Sequence, residues 1–133
     1  MDNKDLVRGL LALLTPETAD YPERECSAPD HPMLGKYVIV RCRDAGVHAG
    51  VLVSASGREA VLTDSRRLWS FRVPMGKPAF LSGVAMYGVD GDSEDTKLGT
   101  PIDVALPETC EIILCTSAAE ASIRSAKEHV RTR

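Results

Sequence analysis

Apolar positions along this 133-residue chain change their spacing several times, and each change marks an element. At the start, Leu6, Val7, Leu10, Leu11 and Leu14 recur three and four residues apart behind Asp2 and Asn3, which predicts a capped amphipathic helix over 1–14. Thr15-Pro16 ends it. Residues 15–35 then hold Pro16, Pro22, Pro29 and Pro32 and almost no aliphatic side chain. Proline removes a backbone donor and fixes φ, so this segment reads as an extended arm or linker rather than a strand. The stripe of Leu6, Leu10, Leu11 and Leu14 needs cover, from its own domain or from a neighbour across an interface.

From residue 36 the apolar spacing falls to two. A first strand over 36–43 places Val38, Val40 and Cys42 on one face and Tyr37, Ile39, Arg41 and Arg43 on the other, and its apolar centre implies cover on both faces. Asp44-Ala45-Gly46 turns the chain into a second strand over 47–54, and Ser56-Gly57 turns it again into a third over 58–63. Asp64-Ser65 separates this strand from the next. A fourth strand over 66–72 then sets Arg67, Trp69 and Phe71 opposite Leu68, Ser70 and Arg72, the mixed polarity of an edge or interface strand.

Val73 to Pro78 breaks the sheet. Phe80, Leu81, Val84 and Ala85 have helical spacing, so a short middle helix over 79–86 is expected, with Gly83 against it. An acidic loop over 90–97 leads to strands over 102–106 and 110–115. A last helix over 117–130 is announced by Ser117 and Glu120 as a capping box, and Arg124, Lys127 and Arg131 sit toward its C-terminal end. The predicted class is α+β: a small, mainly antiparallel sheet of about six strands, open or partly closed into a barrel, in one β-rich domain over 36–133. The helix at 1–14 stands apart from it on the arm.

Composition changes this picture little, but charge does. The net charge of −3 excludes a globally basic nucleic-acid binder, yet residues 36–72 carry seven Lys/Arg against three Asp/Glu, while 73–116 carry two against seven. The sheet region is basic and its flanks acidic. Cys26, Cys42, Cys110 and Cys115 form no CxxC pair and the three histidines are scattered, so neither a zinc site nor a redox motif is read; free thiols in a reducing compartment are expected. Asp90, Asp92 and Glu94 alternate as in a calcium loop, but Asp95 stands at its glycine position and Pro101 at its final acid position, so no metal is expected there. The apolar run near the start is too short to span a bilayer, and the chain reads as cytosolic at synthesis.

No nucleophile–base pair, phosphate loop or metal-ligand spacing is present, so no enzyme activity and no cofactor are predicted. Two groups could bind. His48 lies in a strand between small residues; it serves a ligand, or it is a structural histidine bonded to an acid such as Asp64. Arg41, Arg43, Arg66, Arg67 and Trp69 together offer forked guanidinium groups beside a ring, which suits a phosphate or carboxylate with a stacking base. The alternative is that Trp69 anchors a core or interface and the arginines pair with Asp44, Glu59 and Asp64.

The run Ala45-Gly46-Val47-His48-Ala49-Gly50-Val51-Leu52, followed by Asp64-Ser65-Arg66-Arg67-Leu68-Trp69-Ser70-Phe71, resembles a family of small uncharacterised proteins found in tailed-bacteriophage genomes. The likeness covers about residues 35–120, and Phe71 departs from the tryptophan-type residue usual there. It implies a phage accessory protein that acts in the host cytoplasm by binding. On this reading the protein counteracts a host or defence component, sequestering a protein or an anionic ligand such as a nucleotide, and associates with itself. The alternative is a virion component, structural or decorating, that docks through the leucine helix and proline arm. A third expectation, an enzyme acting on nucleotides through His48 and Asp64, lacks a complete set of groups.

Overall fold

The computed structural model describes residues 31–132; the helix expected over 1–14 and the arm expected over 15–35, except its last five residues, lie outside them. The order of elements is β1 (Tyr37–Cys42), β2 (Val47–Ser56), β3 (Glu59–Ser70), α1 (Phe80–Tyr87), β4 (Lys97–Leu98), β5 (Ile102–Leu106), β6 (Thr109–Leu114) and α2 (Ser117–Ser125). All strand pairings are antiparallel, and the sheet runs β4-β3-β2-β1-β6, with β5 also beside β3. The expected six antiparallel strands are present, though they are not the same six.

The first difference lies at Asp64-Ser65. These residues do not separate two strands; they bulge within one continuous twelve-residue strand, with Asp64 at φ 51°. Opposite the bulge the register of β2 steps from Val51↔Thr63 to Ala49↔Arg66, and on the other edge that of β5 steps from Leu62↔Val104 to Ser65↔Ile102. One extra residue in β3 therefore resets which side chains face which side. Gly50 makes this possible. A Cβ there would lie 2.8 Å from Ser65 Cα and 2.9 Å from the Thr63 carbonyl oxygen.

The sheet is covered on both faces, as the apolar centre of β1 requires. On one face Val38, Val40, Cys42, Leu52, Ala60, Leu62 and Leu106 form a cluster, with Met33 and Leu34 packed against it. On the other, Tyr37, Ile39, Ala49 and Leu68 meet Val84, Ala85 and Val89 from α1 and its end, Leu98, and Ile123 from α2. Each fully buried aliphatic side chain here contributes about 1.5–3 kcal/mol of burial. The sheet does not close into a barrel, because β5 and β6 do not pair with each other. The link between them is held instead by Thr109 N–H donating to the Arg58 carbonyl (2.9 Å) and Arg43 N–H donating to the Glu108 carbonyl (3.1 Å).

Both helices differ in detail from expectation. In α1, Phe80 does not join the buried stripe; it is 80% exposed at the first helical position, with φ 74°. In α2 the cap is Thr116, whose hydroxyl accepts from the Ala119 N–H at 3.1 Å, and Glu120 pairs with Arg124 (2.8 Å) instead of closing a capping box. The helix also stops at Ser125 rather than near 130. Beyond it the chain is extended, bridging Leu98 to Glu128, with His129 N–H donating to the Leu98 carbonyl at 2.9 Å.

Candidate functional site

Strand β3 positions the residues that matter, and its bulge divides them. Arg66 and Leu68 face the helices; Arg67 and Trp69 face the opposite side. The four arginines and the tryptophan expected on one surface are thereby separated.

Arg66 is 2% exposed. Its Nε donates to the Gly99 carbonyl at 2.8 Å, and its NH1 group donates to the carbonyls of Ile123 (2.7 Å) and Ala126. The last two are carbonyls at the end of α2, where Ile123 otherwise accepts only a long 3.3 Å bond from the Ala126 N–H, so the guanidinium caps that helix from inside the domain. This explains why the helical spacing of residues 126–130 is overridden. Arg66 therefore belongs to the packing, not to a ligand surface, and its partners are carbonyl oxygens rather than acids.

Arg41 and Arg43 are also engaged by the chain. Arg41 Nε lies 2.7 Å from Glu111 Oε1, and Arg43 approaches Glu108 at 4.0 Å. Asp64, expected to meet His48 or the arginines of the sheet, lies 3.7 Å from Arg124 of α2. The Arg124 guanidinium also sits 4.8 Å from the Tyr37 ring. Burial pushes the Tyr37 hydroxyl up to about 12, despite the nearby Arg124 cation, so it stays neutral.

His48 is 8% exposed and its Nε2 lies 2.8 Å from the Ala45 carbonyl, three residues back across the turn. The bond fixes this nitrogen as the donor. Burial holds its pKa below the ordinary value, the Ala45 bond opposes that, and the Arg67 cation adds to it. His48 is accordingly a neutral strut of the β1–β2 turn, bonded to a carbonyl rather than to an acid.

Arg67 and Trp69 remain. Trp69 is 70% exposed, and the Arg67 guanidinium lies 5.4 Å from its ring centroid. Arg67 forms no ion pair among the described residues. Gly46, at φ 86°, passes beneath the guanidinium, where a Cβ would sit 3.1 Å from its terminal nitrogen; Gly99 lies against the backbone and Cβ of Arg67. The lack of a side chain at Gly46 keeps the guanidinium from being crowded on that side. A cation beside a bare indole, on a rigid central strand, can take an anion and a flat ring together.

A second feature escaped the sequence reading. On the helix side, a cavity of about 490 Å³ is lined by residues of the 71–80 segment with Asp90 and Ser93, and one of about 540 Å³ by Phe71, Phe80, Leu81, Ser82, Glu111 and Ile113. The two share Phe71 and Phe80, so the exposed ring of Phe80 stands between them. Helical spacing placed Phe80 inside; the one available signal was the Lys77-Pro78 break just before it. The acids of the 90–97 loop bind locally, with Asp92 N–H donating to the Asp90 carboxylate (3.0 Å) and Arg72 pairing with Asp95 (2.9 Å). Among the described residues, no group of three or more His, Cys, Asp or Glu is placed to hold a metal ion.

These features define a small antiparallel-sheet domain with a two-helix cover and an open Arg–Trp pair on the far face. The chain belongs to the family described as a domain of unknown function, DUF6948, whose model matches residues 35–123. No curated protein matches it, and no solved structure does.

Proposed function

We propose that this domain is a non-enzymatic binding module whose ligand surface is centred on Arg67 and Trp69, and that its ligand is a nucleotide. The observation that carries this reading is the contrast in engagement: Arg41, Arg43 and Arg66 are held by the protein's own acceptors, whereas among the described residues Arg67 has only the exposed Trp69 ring. A phosphate on the guanidinium and a base on the indole use both groups at once. The likeness to tailed-phage proteins supports a setting in the infected host, where the module counteracts a defence component by sequestering its nucleotide signal.

Trp69 is the only tryptophan in the chain, so it is its own reporter. Titration of the full-length protein with mono-, di- and cyclic nucleotides is expected to quench or shift its emission in a saturable way. Arg67→Ala is expected to weaken binding at least tenfold, the loss of one charge-assisted contact of about 1.5–3 kcal/mol. Emission that stays unchanged across the whole panel sinks the proposal.

A further inference from the structure

The two edges of the sheet are treated differently. On one, β5 is short, stands between Pro101 and Pro107, and carries Asp103, whose carboxylate accepts from the Asp64 N–H at 3.4 Å. Prolines and a charge of this kind prevent further strand addition. On the other edge, β6 reads Thr-Cys-Glu-Ile-Ile-Leu with no proline and no lysine, and pairs only with β1 among the described strands. Its one charge, Glu111, is matched by Arg41 of its own chain at 2.7 Å. Leu114 is 47% exposed at its end.

The direction of the free backbone groups follows from the ladder. Cys115 N–H donates to the Tyr37 carbonyl at 3.0 Å, and Ile39 faces Ile113 in register. Residues 111, 113 and 115 therefore bond to β1, and by alternation the N–H and C=O groups of Ile112 and Leu114 point away from it. Beside this edge, on the helix side, lies the cavity lined by Phe71, Phe80, Leu81 and Ile113. Phe80 borders it at a positive φ, a costly conformation for a non-glycine residue that here directs a large ring outward.

We infer that β6 is a self-pairing edge: two copies of this chain join through antiparallel β6 strands related by a two-fold axis at Ile113. In this register Ile112 of each copy bonds Leu114 of the other, giving about four backbone hydrogen bonds, and the two Ile113 side chains meet at the axis beside both Phe80 cavities. Glu111 then faces Cys115, whose thiol burial keeps neutral, so no like charges oppose each other across the join. Self-complementarity and the unguarded edge favour a second copy over a foreign strand. This surface is distinct from the Arg67–Trp69 face, so either proposal can fail alone.

The test is the mass of the full-length protein in solution, by light scattering after size exclusion, with amide exchange at Ile112 and Leu114. The wild type is expected at twice 14.4 kDa with both amides protected. Ile112→Pro removes one outward N–H without touching the bonds to β1, and is expected to halve the mass; Ile112→Ala, which truncates the side chain but keeps the N–H, is expected to remain a dimer. Should the proline variant fail to fold, Leu114→Lys places a charge on the same edge and is expected to give the monomer. A monomeric wild type, a dimer in which these amides exchange freely, or a folded edge variant that still dimerises would overturn the inference.

Discussion

Arg66 and Arg67 are neighbours in the chain and opposites in the structure. The helix-side face at Arg66 is closed: its guanidinium is enclosed, and carbonyls from three places in the chain take its hydrogens. The far face at Arg67 is open, its cation resting on a ring that solvent reaches. The two faces differ by one step along a strand, and the bulge at Asp64-Ser65 sets which arginine goes where. Basic residues in a sheet are therefore not interchangeable evidence of a ligand surface; what each guanidinium already holds decides.

The contrast can be broken most strongly at Arg66. Arg66→Ala takes the guanidinium donor from the half-buried Gly99 and Ala126 carbonyls, leaves Ile123 with the 3.3 Å bond from the Ala126 N–H, opens a cavity beneath α2, and is expected to destabilise the domain by about 3–5 kcal/mol in urea unfolding. A loss below about 1 kcal/mol would show that Arg66 is not the internal cap described here. Next comes the device that separates the two. Gly50→Ala forces a Cβ against the bulged backbone, with an expected loss of about 1–3 kcal/mol and shifted amide signals at Ser65 and Arg66.

Ser65 sharpens the comparison in the other direction. Its hydroxyl is buried within the bulge without a hydrogen-bond partner, so Ser65→Ala is expected to be neutral or to stabilise by up to about 1 kcal/mol. A marked loss would mean that the hydroxyl has a partner after all. His48 gives a smaller, pH-dependent effect. Its folded pKa lies below the ordinary 6.5, so below that pH the unfolded chain takes up the proton first and stability falls as pH drops toward the folded value. Stability measured from pH 7.5 to 5 is expected to decline with a component that His48→Gln removes; an unchanged slope in that variant would refute the assignment. The least effect on folding belongs to the open face: Arg67→Ala and Trp69→Ala are each expected to change stability by less than about 1 kcal/mol, a surface cation–ring contact, while removing nucleotide binding.

Much of the fold is legible in the chain. Asp44-Ala45-Gly46 and Ser56-Gly57 mark the two turns that define β1 to β3, and Gly46 and Gly57 both adopt positive φ there. The unbroken apolar centre Val38-Ile39-Val40 of the strand expected over 36–43 correctly announces cover on both sides. What was not legible depends on groups distant in sequence. Asp-Ser has turn chemistry, and only the strands on either side of β3 show that it is a bulge. Residues 126–130 have helical spacing, but an arginine sixty positions earlier and the carbonyl of Leu98 claim that segment. The burial of Arg66 follows the same logic, since strand parity beyond a bulge cannot be counted from the sequence. Alternation places Arg67 and Trp69 on one face and Arg66 on the other, but which of the two faces is open depends on the same bulge.

Arg66 also orders events in time. The strand that carries it leaves the ribosome about sixty residues before Ile123 and Ala126, whose carbonyls it must hold. Until those residues emerge, the guanidinium has only the Gly99 carbonyl of its three partners, and hydration favours keeping it outside. The helix-side core of the sheet therefore matures late in synthesis, when α2 arrives and draws the charge in after it.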